Sequence, residues 1–304
     1  RVALELGVEA YENCMVLELL VSEGKIAGAV CLDRAKGELL FLRAKTVILA
    51  AGGCGRLFSW TSNPVDVTGD GFILAYRAGA SLRDMEFIQY YPWRCIKPFG
   101  QTRMPIQPST FSVGGKLFNS DGERFMEKYD PERKDATFRD VAARGIYDQI
   151  RFGKSIEGGV LLDISEVSPE DFEKTNARLS RVYSQRSQKA HEIRMIIAPE
   201  AHYFMGGVLI DENGKSNVPG LFAAGENAGG IQGGNRLNSN SLPGTQVFGK
   251  RAGEAAAADS RELTLAPLSK ISSSRWKQKF ATIRGEDNPE VTSALKRMRQ
   301  ELAE

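Results

Sequence analysis

The chain has 304 residues, 42% of them hydrophobic and 26% charged, with a formal net charge of +2. That is ordinary globular usage, enough for one large domain or two smaller ones, and it excludes disordered and collagen-like chains. The near-neutral charge leaves no basic footprint for nucleic acid, and no apolar run approaches the ~18 residues needed to cross a bilayer.

The opening RVALELGV has a helical pattern, with neither an initiating methionine nor a signal peptide, so the chain reads as a piece of something longer. Residues 9–50 hold β-rich runs punctuated at Glu23-Gly24 and Lys36-Gly37, which predicts a meander of three or more strands ending in the apolar run TVILA. That strand leads into Ala50, Ala51, Gly52 and Gly53, where absent side chains let another backbone or a ligand come close. In TGDGFILAYRAGA a Gly-Asp-Gly turn opens a helix whose apolar face is expected at Phe72, Ile73, Tyr76 and Ala80. Such a helix N-terminus suits a polar or anionic ligand. The four cysteines, Cys14, Cys31, Cys54 and Cys95, show no CxxC spacing and are expected as free buried thiols, with no metal site.

From about residue 88 prolines and charges accumulate, and residues 88–201 read as a separate α+β insertion with a helix over FRDVAARGIYDQIRFG. Strand-turn-strand patterning then resumes, with a turn at Glu212-Asn213-Gly214 and a short strand LFAAG ending at Gly225-Glu226. The stretch IQGGNRLNSNSLPG sets Arg236 among asparagines, serines and glycines just ahead of an Ala-rich helix; Asn238 to Ser241 are expected to shape and cap that turn. Residues from Asp259 read as a linker. A last helix is expected over NPEVTSALKRMRQELAE, capped by Asn288, with Pro289 at its first position and an apolar stripe of Val291, Leu295, Met298 and Leu302. No GxGxxG occurs.

Seven segments, TVILAAGG, TGDG, NSDGERFMEKY, RDVAAR, HYFMGG, PGLFAAGE and GGNRLNSNSL, follow one another in an order that resembles the flavoprotein subunits of succinate dehydrogenase and fumarate reductase, a family that includes L-aspartate oxidase. The resemblance implies an α/β fold with an α+β insertion. An FAD-binding Rossmann-like domain (residues 1–87 and 202–258, its first strands and fingerprint missing) would be interrupted by a capping domain (88–201). A linker and the start of a helical domain (259–304) would follow. Gly52 and Gly53 resemble the turn near the adenine half of FAD; Thr68 and Asp70 lie in the flavin-proximal TGDG loop. Glu226 resembles the acid that holds a ribose or ribityl hydroxyl, and Asn240, Ser241 and Leu242 the helix start facing the flavin. Taken alone, Asp70 reads as a turn or cap aspartate and Glu226 as an exposed loop carboxylate; the ordered set favours the ligand reading.

In this family hydride passes between the flavin and the β carbon of an unsaturated acid, and an arginine delivers a proton to the α carbon. Arg139 resembles that proton donor, while His202 and Arg236 resemble the pair that grips one substrate carboxylate, a task suited to a guanidinium fork. By itself Arg139 reads as a surface arginine paired with Asp140 or Asp135, and His202 as readily structural as catalytic. The second-carboxylate half departs from the family. Tyr91 stands at a histidine position, and Gln107, Pro108 and Phe111 replace the threonine, glutamate and relay arginine. Their loss points to a substrate with one carboxylate or carbonyl and a bulkier or apolar remainder, with Tyr91, Gln107 and Phe111 lining its pocket. The proton route would then pass through Tyr91, Asp84 or Asp140. Three other readings are a true fumarate reductase or succinate dehydrogenase subunit that uses Arg94 or Arg103, an L-aspartate oxidase-like enzyme, and a non-catalytic flavin electron-transfer subunit. The implied partner is an iron–sulfur subunit, and the implied location is cytoplasmic, peripheral to the inner membrane.

Overall fold

The structure is a computed structural model that describes residues 2–98, 104–185, 188–189, 192–265 and Trp276. The chain divides into two compact units. One holds the residues up to Leu57, Val65–Phe87 and the residues from Phe204 onward; the other holds Phe58–Pro64 and Ile88–Tyr203.

In the first unit a four-residue helix α1 (Val2–Glu5) precedes the meander, β1 (Cys14–Ser22), β2 (Lys25–Asp33) and β3 (Glu38–Arg43), an antiparallel three-stranded sheet. The expected last strand of the meander does not join it. The apolar run β4 (Val47–Leu49) pairs instead with β11 (Leu221–Ala223), in parallel and in the register Val47↔Leu221 to Leu49↔Ala223. The run has no polar alternation, but only Leu49 is buried and Ile48 remains 39% exposed, so the pair is not covered on both faces. Helix α2 (Asp70–Arg77) packs between these sheets through Leu74 and Ala75, which share a core with Leu19, Ile26, Cys31, Leu49, Val208 and Leu221. Its buried face is Gly71, Phe72, Leu74 and Ala75; the expected Ile73 and Tyr76 are 50% and 67% exposed. Phe72 and Leu74 supply the bulk of that face, while at Gly71 the Asn227 side chain comes within 2.4 Å of where a Cβ would stand and leaves no room for a larger residue.

Further along this unit, β5 (Leu82–Arg83), β10 (Gly207–Leu209) and β12 (Ala228–Gly229) form a small mixed sheet. The turn expected at residues 212–214 is present, with the Asp211 side chain accepting from Asn213 N and Lys215 N, both at 2.9 Å. Helix α8 (Ser241–Glu262) buries Ala252 and Ala256 against Phe222 and Ala224. It continues through Asp259, where a linker is expected, because alanines and charged residues propagate the helix to Glu262. The helix expected from Asn288, with its stripe of Val291, Leu295, Met298 and Leu302, and Arg103 lie outside the described residues.

The second unit is built on a four-stranded sheet, ordered β6 (Ile88–Lys97), β9 (Met195–Phe204), β8 (Val160–Asp163) and β7 (Lys116–Phe118). Short helices α3 (Ser109–Ser112) and α4 (Met126–Tyr129), the longer α5 (Arg139–Arg151), and α6 (Pro169–Thr175) with α7 (Ala177–Ser184) complete it. The core gathers Trp93, Phe111, Leu117, Phe125, Met126, Ile146, Phe172 and Tyr183. Helix α5 turns Ala142, Ala143 and Ile146 inward, the 3.6-residue period of an amphipathic helix. All four cysteines of the chain are free thiols.

Candidate functional site

In the first unit the C-terminal ends of the parallel strands β4 and β11 lie side by side, the position at which open α/β sheets receive ligands. Both ends run into small residues. Gly52 sits at φ 78° with no atom within 4 Å of where a side chain would begin, so its backbone face is open. At Gly53 a Cβ would stand 2.2 Å from Oε1 of Glu226, so only glycine leaves that carboxyl its place. The same oxygen accepts from Phe204 N at 2.9 Å. Beside it, Asn227 Oδ1 accepts from Ala51 N at 2.6 Å, while the buried Asn227 Nδ2 has no hydrogen-bond partner among the described residues.

Glu226 is thus mostly enclosed, not the exposed loop carboxylate it resembles in isolation. Burial raises its pKa from 4.5 to about 7, against the opposing pull of the Phe204 N–H and of Arg236. Burial and the Glu226 charge together push the Cys54 thiol up to about 12. Because the folded pKa of Glu226 lies above its ordinary value, its contribution favours the fold below pH 4.5 and is lost as the pH rises through about 7. Flavin-free full-length protein is therefore expected to lose thermal stability between about pH 4.5 and about 7, and Glu226→Gln to flatten that dependence in a melting series. A profile unchanged by Glu226→Gln would rule this out.

Asp70 opens α2 behind Gly69, which adopts φ 87° close to Cys54, and its carboxylate accepts from Thr68 Oγ1 at 2.6 Å. Arg236 is 4% exposed; its Nη1 lies 3.4 Å from Ser241 Oγ and 3.5 Å from the Leu237 carbonyl, long contacts for so strong a donor. Asn240 occupies the N-cap position of α8 but makes no side-chain cap; it donates to Gln232 Oε1 at 3.1 Å instead. The first residues of this 22-residue helix are open to solvent, with Leu242 at 70% exposure. An open helix start of this length presents unpaired N–H groups and the positive end of a dipole.

In the second unit Tyr91, on β6, joins two of the expected residues. The ring centroid of His202, on β9, is 5.6 Å from that of Tyr91, and the guanidinium carbon of Arg139 lies 4.9 Å over the Tyr91 ring. Arg139 is the first residue of α5 and half-buried. It is not paired with the expected carboxylates: Asp140 bridges Arg144 at 3.2 Å and Asp135 bridges Arg124 at 2.7 Å. Burial lowers the pKa of Arg139, partly offset by Tyr91. Burial likewise pushes the Tyr91 hydroxyl well above its ordinary range, and that hydroxyl donates to the Ile106 carbonyl at 2.6 Å.

The other two residues of the expected pocket have surroundings of their own, although Phe111 shares the core and the Trp93 ring with Tyr91. Phe111 is 6% exposed and packs on Trp93 at 4.9 Å, inside the core. Gln107 lines a separate cavity of about 530 Å³ with Ser109, Lys174, Asn176 and Arg178. Of the alternative cations, Arg94 is buried, ion-paired with buried Glu200 at 3.3 Å and stacked 4.3 Å from the Trp60 ring. Asp84 belongs to the first unit, where it pairs with Arg83 at 2.8 Å. Ser62 and Asn63, absent from the residues the sequence singles out, hold His202: Ser62 Oγ is 2.7 Å from His202 Nδ1, and Asn63 Nδ2 donates to the His202 carbonyl at 2.8 Å. Their only signal is a polar TSNP beside aromatic residues.

A family model described as FAD binding domain matches residues 1–242. The chain is 44% identical over 254 residues to one of the subunits of the fumarate reductase (CoM/CoB) of Methanothermobacter marburgensis, covering 82% of this chain and 46% of that protein. It is 38% identical over 248 residues to the L-aspartate oxidase of Bacillus subtilis, covering 81% and 45%. Among solved structures it resembles the quinol fumarate reductase of E. coli with a TM-score of 0.81 and 26% identity, covering 96% of this chain and 53% of that one. The chain therefore spans about half the length of the relatives it matches.

Proposed function

Because this chain belongs to the FAD-binding flavoprotein family of fumarate reductase, succinate dehydrogenase and L-aspartate oxidase, we propose an FAD-dependent oxidoreductase of the CH–CH class, acting beside one carboxylate or carbonyl. The observation that carries this reading is the cluster of Arg139, Tyr91 and His202. A half-buried arginine held by an aromatic face, with no carboxylate pairing it among the described residues, is arranged to act on something absent from the protein itself. Its charged form is disfavoured twice, by burial and by the positive end of the α5 dipole, and both effects make it a better acid.

The cofactor fits the first unit. Gly52 and Gly53 leave backbone open, Asn227 Nδ2 awaits an acceptor, Glu226 can accept hydroxyl hydrogen bonds, and Ser241 and Leu242 present a helix start. Thr68 and Asp70 are assigned to the same group from the resemblance. When bound, FAD supplies hydride exchange with carbon, which no side chain provides. Arg236 and His202 are assigned to the substrate carboxylate, and Arg139 to proton delivery at the neighbouring carbon.

A second carboxylate is poorly served in the second unit. Tyr91 spends its hydroxyl on Ile106, and the Arg94 charge is met by Glu200. A substrate with a less polar remainder follows. Fumarate itself is the second reading, favoured by the name of the Methanothermobacter relative. Full-length protein assayed with reduced viologen is expected to prefer monocarboxylic enoates over fumarate in kcat/KM by at least about tenfold. Equal or better turnover of fumarate overturns that preference.

Relatives are named as subunits, which supports partner chains in general; an iron–sulfur partner and a cytoplasmic place peripheral to the membrane are assigned from the resemblance alone. No helix among the described residues is long and apolar enough to cross a bilayer.

A further inference from the structure

Residues 58–64 lie along β9 in the second unit, and their pairing leads directly to His202. Thr61 bridges Ala201 in parallel. Ala201 N donates to the Trp60 carbonyl at 2.9 Å and Ser62 N to the Ala201 carbonyl at 3.0 Å. Arg94, itself paired with Glu200 two residues before His202, stacks on Trp60 and anchors the segment from the other side. Asn63 then fixes the His202 backbone and Ser62 meets its ring.

Among the described residues, the hydroxyl proton of the exposed Ser62 has two acceptors within reach, the Ala201 carbonyl at 3.5 Å and His202 Nδ1 at 2.7 Å. The carbonyl already accepts from Ser62 N at 3.0 Å and from Thr61 Oγ1 at 2.9 Å, so both of its lone pairs are engaged. The shorter contact and the engaged carbonyl both direct the Ser62 proton to Nδ1. A neutral imidazole that accepts at Nδ1 carries its own hydrogen on Nε2.

We propose that Ser62 is a positioning residue that holds His202 in the Nε2–H tautomer, so that the ring presents a donor to the carboxylate or carbonyl oxygen of the substrate. The opposite tautomer would present a lone pair, which repels that oxygen. The substrate part of this inference rests on the function proposed above; the tautomer part rests on geometry within the second unit.

The test is a long-range ¹H–¹⁵N correlation spectrum of the full-length holoenzyme labelled in histidine, with the His202 signals assigned by their loss in His202→Gln. Wild-type protein is expected to show the Nε2–H pattern. Ser62→Ala should lose it and lower kcat/KM for an enoate by about tenfold, the worth of one good hydrogen bond, while Ser62→Thr keeps both. An Nδ1–H pattern in the wild type overturns the proposal before any variant is made. So does an Nε2–H pattern that persists in Ser62→Ala. If the tautomer follows Ser62 and no enoate is reduced, the role of Ser62 stands and the substrate reading fails.

Discussion

Replacing Arg139 by alanine is expected to lower kcat by about 10²- to 10⁴-fold, the usual worth of a positioned general acid, with the flavin retained. The ring of Tyr91 below the guanidinium and the helix behind it do not depend on Arg139, so folding should be little affected. An interaction used only in the transition state lowers kcat and kcat/KM together, whereas a binding-only contact would raise KM alone. Arg139→Lys keeps a cation but not the flat fork that lies over Tyr91, and should recover only part of the rate. Stopped-flow reoxidation of the reduced flavin by an enoate, with cofactor content read from the absorbance, separates these outcomes. Unchanged reoxidation in Arg139→Ala would return the protein to the class of electron-transfer flavoproteins with no substrate of their own.

Much of this was legible in the sequence where chemistry is local. The apolar run Val47–Leu49 followed by two alanines and two glycines announces a strand end built for close approach, and the structure opens the backbone there. The meander breaks at Lys36-Gly37 as expected, and α5 follows its period. What escaped depends on partners far apart in the chain. Ser62 and His202 are 140 positions apart, and Asn227 meets Ala51 across 176. The preference of Asp140 for Arg144, one helical turn away, leaves Arg139 to Tyr91, and no spacing rule decides between those neighbours. Phe111 misled for a related reason. A substitution at a polar position of a family reads as a remade pocket wall, yet this ring turns onto Trp93 and serves the core.

Gly53→Ala is the second change with a large expected effect, nearly complete loss of bound flavin from the full-length protein. The added methyl would begin 2.2 Å from Glu226 Oε1, well inside van der Waals contact. Glu226 cannot simply swing aside, because the same oxygen holds the Phe204 amide at 2.9 Å and the carboxyl is mostly enclosed. Moving it leaves a buried amide without its acceptor, at a cost of about 1–3 kcal/mol, and removes the acceptor assigned to the cofactor. The two consequences separate experimentally. In Gly53→Ala combined with Glu226→Ala the clash is gone, so the melting temperature should recover toward that of Glu226→Ala alone. Flavin content should stay low in both, since the hydroxyl acceptor is missing either way. If the double variant regained its flavin, steric relief alone would explain the site, and Glu226 would be a packing residue.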